Sequence, residues 1–156
     1  MPPGFLGVRG NLITDFVFVC NLIAPIWALA AAAAARRGER TRHMRLQVGL
    51  WLAMLVNLFL LEGLIRFSGG SGSLMAGSPW ADTTTLEVAF LLHVVPAVAT
   101  YLLWSWLVVV TWRRWKSPAM RDFAPRHRLF GKLVIAGLAW TALSACFVYY
   151  LTFAAL

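Results

Sequence analysis

The sequence predicts an all-α integral membrane protein, a single four-helix bundle over residues 1–156 with both termini on the outer side of the membrane. Hydrophobic residues make up 60% of the 156 residues and charged residues only 13%, whereas a soluble domain carries about 25% charged residues. A globule this small cannot bury so much apolar surface. We therefore expect lipid to surround most of the chain.

Four apolar runs are long enough to cross the membrane, since about 20 residues span its hydrocarbon core. The predicted spans cover residues 11–35, 44–67, 86–112 and 129–155. Each run is continuous rather than alternating, which favours helices over strands. The first run is longer than a signal-peptide core and its basic cluster follows it, so we expect an uncleaved span.

Basic residues predict the orientation, because short cytoplasmic loops are enriched in Lys and Arg. Twelve lie around the first and third connectors, against only Arg9 and Arg66 towards the other side. The net charge of +8 is therefore confined to connectors rather than spread along a soluble face, which argues against nucleic-acid binding. The twelve are Arg36, Arg37, Arg40, Arg42, Arg45, Arg113, Arg114, Lys116, Arg121, Arg126, Arg128 and Lys132.

The connector after the second span begins with the sequence SGGSGS at residues 68–73 and is expected to be flexible. Trp80, Trp112 and Trp115 lie at depths where indole rings anchor helices to the membrane interface. Cys20 and Cys146 lie inside apolar runs and are predicted to be small core residues, since no CxxC pair is present.

Ionisable side chains inside spans are costly and need a reason. Asp15, Glu62 and His93 all fall about 6–10 Å from the outer ends of their spans, at a rise of about 1.5 Å per residue. Asn21 and Asn57 fall near the midplane. One interpretation is a shared polar intramembrane cluster. The alternative is a structural clamp, in which Glu62 pairs with its i+4 neighbour, arginine 66, and Asp15 is hydrated at the interface.

His93 begins a polar stripe that should face the bundle interior, because spacings of 7, 4 and 7 return to one helix face. Its members are His93, Thr100, Trp104 and Thr111. His93 is interpreted either as a metal or haem ligand or proton acceptor, or as a hydrogen-bonded interior histidine. Pro96 is expected to kink the helix and free a carbonyl nearby.

His43 and His127 lie at the cytoplasmic ends of the second and fourth spans. They are either headgroup-level residues in a basic cluster or a pair that holds a haem iron or a copper ion, with nearby arginines on haem propionates. His93 is about 28 Å from that level and cannot share one iron with them. The second span carries another inward stripe, formed by His43, Gln47, Met54 and Asn57. On the fourth span Gly137, Thr141 and Ser144 form a stripe of small residues, which we expect to pack either inside the bundle or against a partner subunit.

Catalytic signatures of soluble enzymes are missing from the sequence. We find no HExxH, serine-nucleophile, P-loop or Rossmann glycine pattern. A self-contained hydrolase or nucleotide-dependent enzyme is therefore not expected.

Short motifs follow the order of the spans: RHMRL at 42–46, LLHVVPA at 91–97, RHRL at 126–129 and YYL at 149–151. In this order the chain resembles, from about residue 21 onward, the small four-helix bacterial membrane family that includes CtaM and YozB. The resemblance implies maturation of haem–copper terminal oxidases in the bacterial cytoplasmic (inner) membrane. It also implies that His43, His93 and His127 match histidines that bind haem b or copper. The chain departs from the family at residues 65–67, where IRF replaces a segment with an outer histidine.

Three functions remain open on the sequence. The leading one is a non-catalytic assembly factor or accessory subunit of a respiratory membrane complex, with other membrane subunits and the lipid bilayer as partners. The second is a haem- or copper-binding electron-transfer protein that uses His43, His127 and His93. The third is a small transporter or proton-conducting subunit that uses Asp15, Glu62 and His93.

Overall fold

A computed structural model describes residues 2–155, and within this range the chain is a four-helix membrane bundle without named strands. The helices are α1 (Leu12–Arg36), α2 (Arg40–Phe67), the short α3 (Ser71–Met75), α4 (Thr84–Arg114) and α5 (Ala119–Tyr149), which continues into a π-helical turn, Tyr150–Ala154. The four long helices are each long and apolar enough to cross a membrane. The predicted fold class is confirmed, and the chain is a multi-pass membrane protein.

Local chemistry marks the starts of α1 and α4 and the turn between α1 and α2. Asn11 caps α1 by accepting from the backbone N–H groups of Ile13 and Thr14, and Thr14 closes a capping box. Thr83 caps α4 in the same way. Gly38 has a φ of 81°, a conformation that favours glycine, and turns the chain from α1 into α2.

The long helices pack as two hairpins, α1 with α2 and α4 with α5, joined mainly through the contact of α1 with α5. The chain connectors define two ends of the bundle. We call the end formed by residues 37–39 and 115–118 the basic end. We call the end formed by residues 2–11, 68–83 and 150–155 the terminal end. That the basic end faces the cytoplasm stays a prediction.

Small residues allow the helices to approach closely. On α1, four alanines at spacings of four and three residues are buried: Ala24, Ala28, Ala31 and Ala34. On α5, Gly137 lies against the side chain of Thr100, so closely that an added methyl group would overlap it. The small-residue stripe predicted on the fourth span therefore packs inside the bundle, as small residues do between membrane helices.

One helix boundary, one connector and one burial prediction differ from the sequence analysis. The last helix begins at Ala119, ten residues before the apolar run at 129, because the basic segment continues the helix beyond the span. The glycine-rich connector contains the short helix α3. Cys146 was predicted to lie in the core but is exposed, since it lies on the face of α5 directed away from the other helices, whereas Cys20 packs against the core.

Candidate functional site

Two histidines meet at the basic end. The rings of His43 on α2 and His127 on α5 have their centroids 6.1 Å apart and lie nearly perpendicular, at 86°. The two residues are 84 positions apart in the chain, so only the antiparallel packing of the hairpins brings them together. Both side chains are half-buried.

Each ring of this histidine pair is held by its Nδ1 atom. Nδ1 of His43 lies 2.8 Å from the carbonyl oxygen of Ala31. A carbonyl oxygen only accepts hydrogen bonds, so Nδ1 of His43 carries the proton, and in the neutral ring Nε2 keeps its lone pair. Nδ1 of His127 lies 3.0 Å from Oγ1 of Thr111. A histidine held in this way has the orientation that metal-ligating histidines use.

Aromatic and basic groups surround the histidine pair. The ring of Phe123, one turn before His127 on α5, lies 6.3 Å from the His127 ring. The guanidinium carbon of Arg114 lies 4.7 Å from the centre of the Phe123 ring, a cation–π contact. The pair therefore lies between the apolar core and a layer of cationic side chains.

The supply of ligands limits what the histidine pair can hold. Within residues 2–155 no group of three or more His, Cys, Asp or Glu side chains is arranged to hold a metal ion. A structural zinc ion needs four such ligands. Two imidazoles that bind one ion from opposite sides place their centroids about 6 Å apart, because metal–nitrogen bonds are about 2.0–2.1 Å long. The pair therefore supplies at most two imidazole ligands to one ion, which is fewer than a structural zinc site requires.

His93 takes part in a separate contact between α4 and α5. Its Nδ1 lies 2.9 Å from Oγ of Ser144, which itself donates to the carbonyl oxygen of Trp140 over 2.8 Å. The interior hydrogen-bonded arrangement anticipated for His93 is thus present. His93 does not contribute to the histidine pair at the basic end.

Pro96 frees the carbonyl of Leu92, because proline has no N–H group to donate to the residue four positions earlier. The indole N–H of Trp140 on α5 donates to this carbonyl over 2.9 Å. The freed carbonyl that the sequence predicts near Pro96 is therefore used as an acceptor between helices. No pattern in the sequence pointed to Trp140 as its donor.

Asp15 is completely buried at the terminal end, so the part of the clamp interpretation in which it is hydrated at the interface is wrong. Residues 2–11 fold back over it instead of extending into water. The backbone N–H of Leu6 donates to one carboxylate oxygen over 2.8 Å, and the hydroxyl of Tyr149 donates to the other. Gly4 and Gly10 leave room for the carboxylate, since an added side chain at either position would overlap it.

The same terminal segment binds the end of the chain. The guanidinium of Arg9 donates to the carbonyl oxygens of Thr152 and Ala155, over 3.3 and 3.0 Å. The hydroxyl of Ser78, in the connector before α4, donates to the carbonyl oxygen of Leu151. These carbonyls belong to the last turn of the helix, where carbonyl groups lack regular intrahelical partners.

The remaining polar residues of the spans have separate environments. Glu62 pairs with Arg66 at i,i+4, as the clamp interpretation predicted, and both side chains are exposed. The amide of Asn21 donates to the carbonyl oxygen of Val17 on its own helix. Asn57 is buried, and its side-chain oxygen has no hydrogen-bond partner among residues 2–155. Asp15, Glu62 and His93 thus bind different partners in the described part of the chain.

One polar contact between α2 and α4 was not anticipated. The indole N–H of Trp51 donates to the hydroxyl of Ser105 over 3.0 Å, and the hydroxyl of Tyr101 donates to the carbonyl oxygen of Trp51. Ser105 and Tyr101 belong to no recognisable motif. If α4 packed against a different helix, these two side chains would face lipid, so the sequence alone does not predict the contact. This contact closes the bundle opposite the α1–α5 contact.

The connector at the basic end carries an ion-pair network. The carboxylate of Glu39 binds Arg37 at 2.7 Å and Arg42 at 3.0 Å. The hydrogen bonds from Arg37 and then from Arg42 hold the pKa of Glu39 below its ordinary value of 4.5. Glu39 therefore stays ionised and offsets part of the positive charge of this connector.

When the chain is compared with protein-family models, with curated proteins and with solved structures, none of the three comparisons gives a significant match.

Proposed function

We propose that this chain is a non-catalytic accessory subunit or assembly factor of a respiratory membrane complex of the haem–copper oxidase type. It acts in the bacterial cytoplasmic membrane with its basic end on the inner side. The main support for the proposal is that polar groups inside the spans form hydrogen bonds within the bundle. Asp15, His93 and Trp140 serve contacts that hold the bundle together, so the described residues offer partners apolar helix faces rather than a reaction centre.

Two further features support this function. Two of the three connectors between the long helices are short, with three residues between α1 and α2 and four between α4 and α5, so most accessible surface lies on the helices themselves. Several large side chains stand out from α2 along one face, among them Leu52, Val56 and Phe59, and Gly63 leaves open space beside them. Membrane helices associate through such combinations of large and small residues. The motifs at residues 42–46, 91–97 and 126–129 add the resemblance to a family linked to oxidase maturation.

The proposal is tested by purifying the full chain from its native membrane in a mild detergent and identifying the proteins that accompany it. We expect subunits of a haem–copper oxidase. Gly63→Leu should reduce their recovery, because the added side chain blocks the open space on α2 without overlapping residues of the chain itself. Gly131→Leu is the matched control, since its position on α5 is also open. Recovery of the chain alone, or with an unrelated complex, would contradict the proposal.

A second candidate function is binding of a haem or a copper ion by His43 and His127, and the observation that favours it is the 6.1 Å separation of the two rings. His43 and His127 would supply the two ligands, and Arg114, which lies over the Phe123 ring beside His127, would be a cation for an anionic substituent of a haem. When bound, the group would supply one-electron redox chemistry. The residues of the chain orient the rings through Ala31 and Thr111.

Metal analysis and an absorption spectrum of the purified protein test this second function. Wild-type protein should carry copper or show a haem Soret band, and His43→Ala should lose it. His93→Ala, which removes a histidine outside the pair, should keep it. A colourless protein free of copper, or equal loss in both variants, would rule the histidine pair out as the site.

A further inference from the structure

We propose that the turn between α4 and α5 binds the headgroup of an anionic phospholipid, with Arg113 and Lys116 as the cations that contact its phosphate. A surface depression at this turn is lined by two indole rings, two cations and a hydroxyl group. These lining residues are Trp112, Arg113, Trp115, Lys116 and Ser117. The depression lies where the apolar part of α4 ends, so it is at the boundary between acyl chains and headgroups.

The surface of α4 next to this depression suits an acyl chain. Leu102, Trp106 and Val109 are exposed to 67%, 44% and 40%. Their spacings of four and three residues, followed by four more to Arg113, place all four side chains on one narrow face of the helix. An exposed apolar stripe therefore leads directly to a cation, which matches the shape of a phospholipid.

The charges of the depression are available for a ligand. At the other connector of the basic end, Glu39 already pairs with Arg37 and Arg42 and offsets part of their charge. In the part of the chain that the structure describes, no ion pair involves Arg113 or Lys116, and Asp122 in the first turn of α5 forms none with them. Among the described residues, therefore, no carboxylate competes with a ligand for these two cations.

The next cation along the helix, Arg114, does not line the depression. Arg114 lies over the ring of Phe123, so its guanidinium contacts the interior of the α4–α5 hairpin rather than the depression. Trp112 is 78% exposed, and such a ring at the membrane interface packs beside acyl chains while its N–H stays near the headgroups. Cations, hydroxyl group and indoles together recognise a lipid phosphate in preference to a soluble anion, which would leave the apolar stripe unused.

Native mass spectrometry of the detergent-purified full chain tests the site, with phosphatidylglycerol and phosphatidylcholine supplied at equal concentration. We expect adducts of phosphatidylglycerol to dominate. The double variant Arg113→Gln and Lys116→Gln should weaken phosphatidylglycerol binding by about 25-fold, because each cation near a membrane surface contributes about fivefold. The matched control, Arg126→Gln and Arg128→Gln, removes the same two charges from exposed positions on α5 and should change binding little.

Glycerol phosphate distinguishes a lipid from a free phosphate as the ligand. At equal concentration it should not displace phosphatidylglycerol, because it lacks the acyl chains that contact Leu102, Trp106 and Val109. Full displacement would overturn the proposal in favour of a phosphate site. Equal binding of the two lipids, or equal loss in the two double variants, would overturn it in favour of a nonspecific effect of net charge.

Discussion

The hydroxyl of Tyr149 donates a hydrogen bond to the carboxylate of Asp15, a residue 134 positions earlier and completely buried. This contact joins the first and last spanning helices at the terminal end of the bundle. Residues 2–11 fold over the same carboxylate, and the backbone N–H of Leu6 is its second donor. The terminal segment is therefore part of the bundle.

Removing the Tyr149 hydroxyl should destabilise the protein. Tyr149→Phe leaves a buried carboxylate oxygen without its donor, which costs about 1–3 kcal/mol, and we expect a lower apparent Tm in detergent. Tyr150→Phe is the matched control, because the neighbouring ring is exposed. In an Asp15→Ala background the cost of Tyr149→Phe should shrink. Equal costs in both backgrounds would show that the hydroxyl does not act through Asp15.

The contact between Trp140 and the carbonyl freed by Pro96 predicts a coupled pair of substitutions. Trp140→Phe removes the donor to Leu92 and should cost about 0.6 kcal/mol and at most about 1.7 kcal/mol, the values found for hydrogen bonds between membrane helices. In Pro96→Ala the restored N–H satisfies that carbonyl within α4, so Trp140→Phe should cost less there. Unfolding measurements on the four proteins of this cycle check the coupling, and strictly additive costs would contradict it.

The close approach of α4 and α5 at Gly137 predicts a steric effect. Gly137→Ala places a methyl group against the side chain of Thr100 and should lower the apparent Tm by several degrees. Gly131→Ala, on the same helix and in open space, should leave Tm unchanged or raise it, since alanine favours helix formation. Thr100→Ala should recover part of the loss at Gly137. Similar Tm values for both glycine variants would argue against tight packing here.

The ion pairs of Glu39 predict a small pH-dependent stability. Arg37 and Arg42 lower the pKa of Glu39, so its stabilisation is complete above its ordinary pKa of 4.5 and disappears as the pH falls through the lowered pKa. Glu39→Gln should therefore lower the apparent Tm slightly at pH 7 and leave it unchanged near pH 2. Glu87→Gln is the control, as Glu87 forms no ion pair among residues 2–155. A difference in Tm that persists under acid would point to another origin.

The sequence predicted the helices well because each apolar run is longer than the membrane needs. It also predicted the inward stripes, since Trp104 and Thr100 are buried as their spacing required. Helical spacing is a local property of the sequence, and hydrocarbon favours an apolar outer surface on every span.

The contacts between distant segments could not be predicted in the same way. The depth of Asp15 in the membrane was predicted from its distance along α1. That prediction treats residues 2–11 as a tail in water, whereas in the structure this segment folds back and buries Asp15. The donor from Trp140 depends on the rotation of α5 against α4. The start of α5 at Ala119 follows from helix continuity beyond the apolar run.

The amount of assembled oxidase in membranes that lack this chain tests the central claim most directly. Reduced-minus-oxidised difference spectra of such membranes should lose the haem signals of a haem–copper oxidase, and expression of the wild-type chain should restore them. Membranes with the full oxidase signal in the absence of the chain would contradict the account.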